Sequence, residues 1–225
     1  MLLIFDCDGV LVDSELLSCR IDAEFLTELG LPYTADEILH RFVGVSLKDQ
    51  IAHIEAERGC KLPEDFTERL NRAIFARFET DLEAVPGVRE AILSLPYPRC
   101  VASSSVPARI ALSLRVTGLA DLFDHIFSSS EVPRGKPAPD LFLHAAKRMG
   151  AEPGECLVIE DSTAGVQAAC AAGMRVIGFT GGGHCSPEHG GRLHQAGADR
   201  VIARMADLPE AVRAVIGHSG SLRTP

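Results

Sequence analysis

The 225-residue chain has no tryptophan, only two tyrosines, and aromatic residues at 5%. It therefore lacks the stacking platforms on which unpaired bases are held. Cationic residues are the minority: 22 Lys and Arg stand against 31 Asp and Glu, a formal net charge of -9. Without a Lys/Arg stripe nothing displaces counterions from a nucleic-acid backbone, so nucleic acid is excluded as a partner. No apolar run approaches the roughly 20 residues of a membrane helix, and no charged-then-apolar leader precedes the first apolar segment. The expectation is a soluble, cytoplasmic protein without a membrane partner. The cysteines Cys7, Cys19, Cys60, Cys100, Cys156, Cys170 and Cys185 contain no C-x-x-C pair and are odd in number, which points to reduced thiols and not to a disulfide framework. What is present, 46% hydrophobic residues, suffices for one full core and a smaller second one. A monomer is expected, with association left open.

The chain begins with an apolar run, Leu2-Leu3-Ile4-Phe5, that stops at Asp6-Cys7-Asp8-Gly9. A run this apolar suits the centre of a parallel sheet covered on both faces, and such sheets bind ligands beyond the carboxyl ends of their strands. Neighbouring carboxylates repel unless a cation lies between them or one keeps its proton. The pair therefore suggests a metal site, an acid/base pair, or both, although aspartates after a strand also cap turns and helices. An EF-hand loop does not fit, because Gly9 comes too early for the glycine at its sixth position. Cys7, between two acids, should be unreactive.

Residues 14 to about 84 then change character. Leu16, Leu17, Ile21, Phe25, Leu26 and Leu29 recur at helical spacing before Gly30, a C-cap signal. Thr34 with Glu37 is a capping-box pattern, Ser46 opens a segment that stops at Gly59, and Pro63 opens another through Leu70, Ile74 and Phe78. After Pro86-Gly87 the pattern alternates strand and helix, with strands at Cys100-Val101-Ala102, Ile126-Phe127, Leu157-Val158-Ile159, Val176 to Phe179 and Arg200-Val201-Ile202. The fold class expected is α/β: a doubly wound parallel sheet from residues 1–13 and 86–225, with an inserted helical cap at 14–85. An insertion leaving the carboxyl edge of the first strand is placed to act as a lid over the Asp pair.

Three further polar clusters follow strands of that core. Ser103-Ser104-Ser105 can offer hydroxyl and backbone N–H groups to a phosphate. Lys136 sits in Gly135-Lys136-Pro137, where proline stiffens the backbone around one cation. Glu160-Asp161 places a second pair of carboxylates at a buried strand end, hard oxygen donors of the kind Mg²⁺ takes with water and phosphate. His184, Cys185, His189 and His194 have a loose metal-like spacing, but the glycines around them read as a mobile loop.

In order, these motifs resemble the haloacid dehalogenase (HAD) superfamily. Phe5-Asp6-Cys7-Asp8-Gly9-Val10-Leu11-Val12-Asp13-Ser14-Glu15, Gly135-Lys136-Pro137 and Val158-Ile159-Glu160-Asp161-Ser162 are similar to its motifs, and the inserted helices resemble the cap of its β-phosphoglucomutase-like branch. Arg41-Phe42-Val43-Gly44-Val45 and Asp81-Leu82-Glu83-Ala84 look similar to bacterial sugar-phosphate phosphatases of that branch, including the 6-phosphogluconate phosphatase type. The resemblance implies an HAD-like Rossmannoid core and a Mg²⁺-dependent phosphatase acting on a small phosphorylated metabolite. Asp6 would be the nucleophile, Asp8 the acid and base with the higher pKa of the pair, and Ser103, Ser104 and Lys136 the phosphate contacts. Asp6, the Asp8 backbone carbonyl, Glu160 and Asp161 would hold the metal. A sugar-phosphate mutase is the alternative, disfavoured because Ser18, Val43 and Leu47 stand where mutase relatives carry His, Lys and Arg. A non-catalytic binding module on the same fold is a further alternative.

Overall fold

The computed structural model describes residues 1–42 and 47–217. Strands β1 (Leu2–Phe5), β2 (Arg99–Ser103), β3 (Ile126–Ser128), β4 (Cys156–Glu160), β5 (Arg175–Phe179) and β6 (Arg200–Ile202) form one sheet in the order β3-β2-β1-β4-β5-β6. All five pairings are parallel. β1 lies at the centre: Ile4 is aligned with Cys100 on one side and Val158 on the other, and all four of its residues are buried. This is why the strand is apolar on both faces. Chain progression reverses between β1 and β4, which makes the gap beyond their carboxyl ends the crevice of a doubly wound sheet.

Helices α1 (Ser14–Glu28), α2 (Ala35–Phe42), α3 (Leu47–Arg58) and α4 (Phe66–Asp81) follow β1; α5 (Val88–Leu93) precedes β2. Then α6 (Pro107–Val116), α7 (Asp140–Arg148), α8 (Thr163–Ala171), α9 (His189–Ala196) and α10 (Leu208–Gly217) alternate with the remaining strands. On one face of the sheet Leu2, Ile4, Ala102, Val158 and Val176 pack with Phe142 and Ala145 of α7, Val166 and Ala169 of α8, and Leu193 of α9. The buried residues of α7, Leu141, Phe142, Ala145 and Ala146, fall on one stripe of a 3.6-residue period. α8 starts where the Ser162 hydroxyl accepts from Gly165 N at 3.0 Å, a side-chain N-cap.

Two compact units result, Met1–Asp13 with Glu83–Pro225, and Ser14–Leu82. Glu83 to Val85 go with the sheet unit for a local reason: Asp13 N donates to Glu83 O and Val85 N to Leu11 O, both at 3.0 Å, and Val12 pairs antiparallel with Ala84. The outgoing and returning chains thus run side by side. In the helical unit the expected capping box forms, with Thr34 N donating to Glu37 Oε2 at 2.8 Å and Glu37 N to Thr34 Oγ1 at 3.1 Å. Its interior is built from Leu26, Ile38, Ile54, Leu70, Ile74 and Phe78, all buried. Pro63 does not open α4 directly. Phe66 N donates to Pro63 O at 2.9 Å in a preceding turn, and the helix begins at Phe66. The start expected at Ser46, and Val43 with Gly44, lie outside the described residues.

Candidate active site

Asp6 directly follows β1, and its N–H donates to Ile159 O of β4 at 3.0 Å. That bond sets the residue in the crevice between the two strands, beside Glu160. The structure brings Lys136 to both carboxylates: its ammonium donates to Asp6 Oδ1 at 2.8 Å, to Glu160 Oε1 at 2.9 Å and to Ala102 O at 3.3 Å. Side-chain exposure is 5% for Lys136 and 1% for Glu160, so these charges face each other with little water to screen them. One carboxylate oxygen from each of Asp6, Glu160 and Asp161 lies within 4.8 Å of the others.

Burial acts differently on the three charged groups. It pushes the Asp6 carboxyl up to about 7, with Lys136 opposing and the Glu160 charge reinforcing the rise. Burial also works against charge on Glu160, yet its carboxyl is held below the ordinary value by Lys136 and by hydrogen bonds. The donors are Asp161 N at 2.6 Å, Ser162 N at 3.0 Å and Ser162 Oγ at 3.1 Å. Glu160 is therefore the member of the pair that keeps its charge, and Asp6 the one that takes a proton most readily. Lys136 is raised: burial alone would lower it, but the two acids outweigh burial.

Asp8 takes two further partners. Ser105 Oγ donates to its Oδ2 at 2.6 Å and an Arg109 guanidinium nitrogen to its Oδ1 at 3.2 Å. Burial thus raises the Asp6 carboxyl, whereas Asp8 meets a guanidinium and a hydroxyl. Cys7, between them, is buried, and burial followed by the Asp8 and Asp6 charges pushes its thiol well above the ordinary value. The expected unreactive cysteine has this physical cause.

Of the two serines, Ser103 is 1% exposed at the end of β2. Its Oγ accepts from Ser105 N at 3.1 Å. Ser104 is exposed, and its carbonyl accepts from Ser129 Oγ at 2.8 Å. Arg109, a neighbour of Asp8, was not identified from the sequence, which named Ser105 only as a phosphate contact and His184 only in a loose histidine cluster. His184 Nε2 lies 3.0 Å from Asp161 Oδ2. The one available signal was position: Ser105 and Arg109 flank the strand-end serines.

Two glycines make room for the carboxylates. A Cβ on Gly9, whose φ is +78°, would fall 1.9 Å from Asp161 Oδ2, and one on Gly165 would fall 1.5 Å from Glu160 Oε1. Gly165 lies in α8, where alanine is intrinsically better by about 1 kcal/mol. Gly165→Ala is nevertheless expected to destabilise the protein by about 1–3 kcal/mol, because Glu160 must be driven from its bonded position. Urea unfolding measures the sign directly.

The chain matches the family described as "Haloacid dehalogenase-like hydrolase" over residues 3–179. The 6-phosphogluconate phosphatase of Escherichia coli is 35% identical over 185 residues, covering 81% of this chain and 84% of that protein. A haloacid dehalogenase-like protein of Agrobacterium tumefaciens superimposes with a TM-score of 0.87 at 41% identity, covering 96% of this chain and 98% of that one. A HAD family hydrolase of Deinococcus radiodurans, with bound phosphate and sodium, gives 0.79 at 34% identity and covers 97% and 95%. An aspartate crevice at the β1/β4 reversal, on a sheet matched along almost its whole length by these proteins, leads to one assignment: the chain belongs to the haloacid dehalogenase-like hydrolase family and is a phosphoric monoester hydrolase.

Proposed function

We propose that the chain is a Mg²⁺-dependent phosphatase that hydrolyses a small phosphorylated sugar or sugar acid through an aspartyl-phosphate on Asp6. The observation that carries this reading is the Asp6, Lys136, Glu160 and Asp161 cluster at the reversal of the sheet. Asp6 attacks phosphorus while the bond from phosphorus to the substrate oxygen breaks, and Asp8 gives its proton to the leaving alkoxide. Water then attacks the acyl phosphate, Asp8 takes the proton back, and inorganic phosphate leaves. Splitting the hydrolysis in two replaces one very slow step by two easier ones. Ser105 and Arg109 hold Asp8 toward a fixed direction through its two oxygens. Lys136 stands where it can neutralise the transferring phosphoryl group, and Ser103, Ser104 and nearby backbone N–H groups are assigned its remaining oxygens.

The donor set fits a hard divalent cation. One oxygen from each of three buried carboxylates lies within 4.8 Å of the others, and one ammonium faces two of them. Asp6, Asp161, Glu160 and the Asp8 backbone carbonyl are the groups assigned to hold Mg²⁺. When bound, it supplies positive charge to the phosphoryl oxygens and screens the carboxylates from one another.

The substrate class follows from the relatives, and 6-phosphogluconate is the first compound to try. Ser18 of α1 and Leu47 of α3 offer no charge to a second phosphate, which disfavours a mutase that must retain a bisphosphate. A lid role for residues 14–85 over a core of 1–13 and 86–225 rests on the adjacent chain crossings at Val12 and Ala84, the arrangement a two-strand hinge needs. The test is free-phosphate release from a panel of phosphorylated sugars and sugar acids, with Mg²⁺ and after exhaustive chelation. Release from at least one of them with Mg²⁺, and loss of at least about a hundredfold on chelation, is expected. Undiminished turnover without divalent ion overturns the metal assignment, and phosphorus NMR showing isomerisation with little free phosphate overturns hydrolysis.

A further inference from the structure

The glycine-rich segment before α9 is packed and not merely a spacer. A Cβ on Gly181 would meet Phe179 Cζ at 2.4 Å and Ala203 O at 2.5 Å, and one on Gly182 would meet His184 Nδ1 at 2.9 Å. Gly9 closes on the same ring, its virtual Cβ 2.9 Å from His184 Cε1. The His184 side chain is 4% exposed. These close approaches fix the loop so that one ring nitrogen of His184, one of His189 and the Cys185 sulfur come within 4.8 Å of one another. His194, the fourth residue of the sequence cluster, is not with them, its Nδ1 lying 3.2 Å from Ala198 O.

One separation matches the nitrogen–sulfur edge of a tetrahedral ion. His184 Nε2 lies 3.5 Å from Cys185 Sγ and 3.0 Å from Asp161 Oδ2. Zinc bonds of about 2.0 Å to nitrogen and 2.3 Å to sulfur give a tetrahedral nitrogen–sulfur edge of about 3.5 Å. His189 Nε2 contacts the backbone carbonyl of Asp161, the kind of hydrogen bond that orients a ligating imidazole. Arg192, which donates to His189 Nδ1 at 3.1 Å, is exposed and can turn to solvent.

We infer that His184, Cys185 and His189, with Asp161 as the fourth donor, form a site for a zinc-type ion. Thiolate and imidazole prefer such an ion over Mg²⁺, and the thiol proton is released to solvent as it binds. Because Asp161 would be drawn away from the Asp6 and Glu160 oxygens, filling the site lowers turnover. This consequence rests on the proposed role of Asp161 in the Mg²⁺ site; the binding does not.

The test titrates Zn²⁺ into Mg²⁺-saturated protein carrying Cys60→Ser and Cys170→Ser, which remove the exposed thiols, against a chromophoric chelator. One equivalent is expected, with a dissociation constant below about 1 μM. Co²⁺ in its place should give a thiolate-to-metal charge-transfer band. Adding Cys185→Ser should weaken Zn²⁺ binding by about 30-fold or more and abolish the band, with Mg²⁺-dependent turnover and melting temperature unchanged. His189→Gln should weaken binding similarly. Absence of tight binding, or equal binding with and without Cys185, overturns the site. Zinc bound through Cys185 without loss of turnover leaves the three-residue site standing and overturns Asp161 as a donor shared between zinc and Mg²⁺.

Discussion

Asp6→Asn is expected to abolish turnover, by at least about three orders of magnitude, while making the metal-free protein more stable at alkaline pH. The loss follows from chemistry: an amide oxygen cannot form the acyl phosphate, and acid-quenched wild-type enzyme should carry phosphate on Asp6 where the variant carries none. The gain follows from burial. In the folded protein Asp6 has a pKa of about 7 against an ordinary 3.8, so between those values the native state holds a proton that the unfolded chain has released. The stability this confers is present below about pH 4 and is lost as pH rises to about 7. Asparagine resembles the protonated acid and has nothing to lose. In chelator the two proteins should unfold alike near pH 4, and the variant should lead above pH 7 by on the order of a few kcal/mol. Mg²⁺ should narrow that gap, because it compensates the charge in the wild type. Urea unfolding across pH, with and without metal, reads all of this; a wild type as stable as the variant at pH 8 in chelator would falsify the electrostatic account, and retained turnover would remove Asp6 from its assigned role.

Lys136→Met should cost about 3–5 kcal/mol of stability in chelator at pH 8, the range for breaking a buried charge pair from one side. The ammonium is bonded to Asp6 and Glu160, and methionine of similar length leaves both acids facing each other. The Lys136 pKa is raised in the fold, so its contribution is fully present below the ordinary lysine value and is lost only as pH climbs past it. The lysine itself keeps its charge from pH 6 to 9, so its contribution changes there only with the charge on Asp6. In the variant, acidification should restore stability as Asp6 takes its proton. Saturating Mg²⁺ should restore it as well, by mass action on the native state, but should leave turnover low, since the phosphoryl group has lost its fixed cation. A loss within 0.5 kcal/mol, as for an ordinary surface lysine, would show that the ammonium is not the counter-charge of this site.

How far the chain could be read without coordinates depends on which information is local. The run Leu2 to Phe5 and its break at Asp6 need no tertiary knowledge: four apolar residues in a row specify a strand buried on both faces, and the first carboxylate after it must stand at the strand's end. The same logic located Glu160-Asp161 at the end of β4, and the rigid Gly135-Lys136-Pro137 flagged its lysine. Helical spacing and the Thr34/Glu37 pair likewise act over a few residues, so the helices within residues 14–42 and 47–81 and the formation of the Thr34 N-cap were readable. Helix starts were less so, since a proline marks a turn or a first helical position equally well, and at Pro63 the turn won.

Side-chain partners were not readable, because they join residues far apart in the chain. Nothing near Asp8 announces Ser105 and Arg109, 97 and 101 positions away, and nothing near Asp161 announces His184. A glycine run carries no mark distinguishing a mobile loop from one pressed against Phe179, Gly9 and Asp161. Nor does a sequence say which acid of a pair keeps its proton: that depends on how many donors reach each one and how deeply each is buried. The sequence by itself determined the strand that ends in carboxylates and the order of the motifs, because those depend on neighbours within a few residues. Only the tertiary structure decided that Lys136 lies between Asp6 and Glu160, that burial raises the Asp6 carboxyl, and that two histidines and a thiol converge beside Asp161, because each of these is set by which strands adjoin.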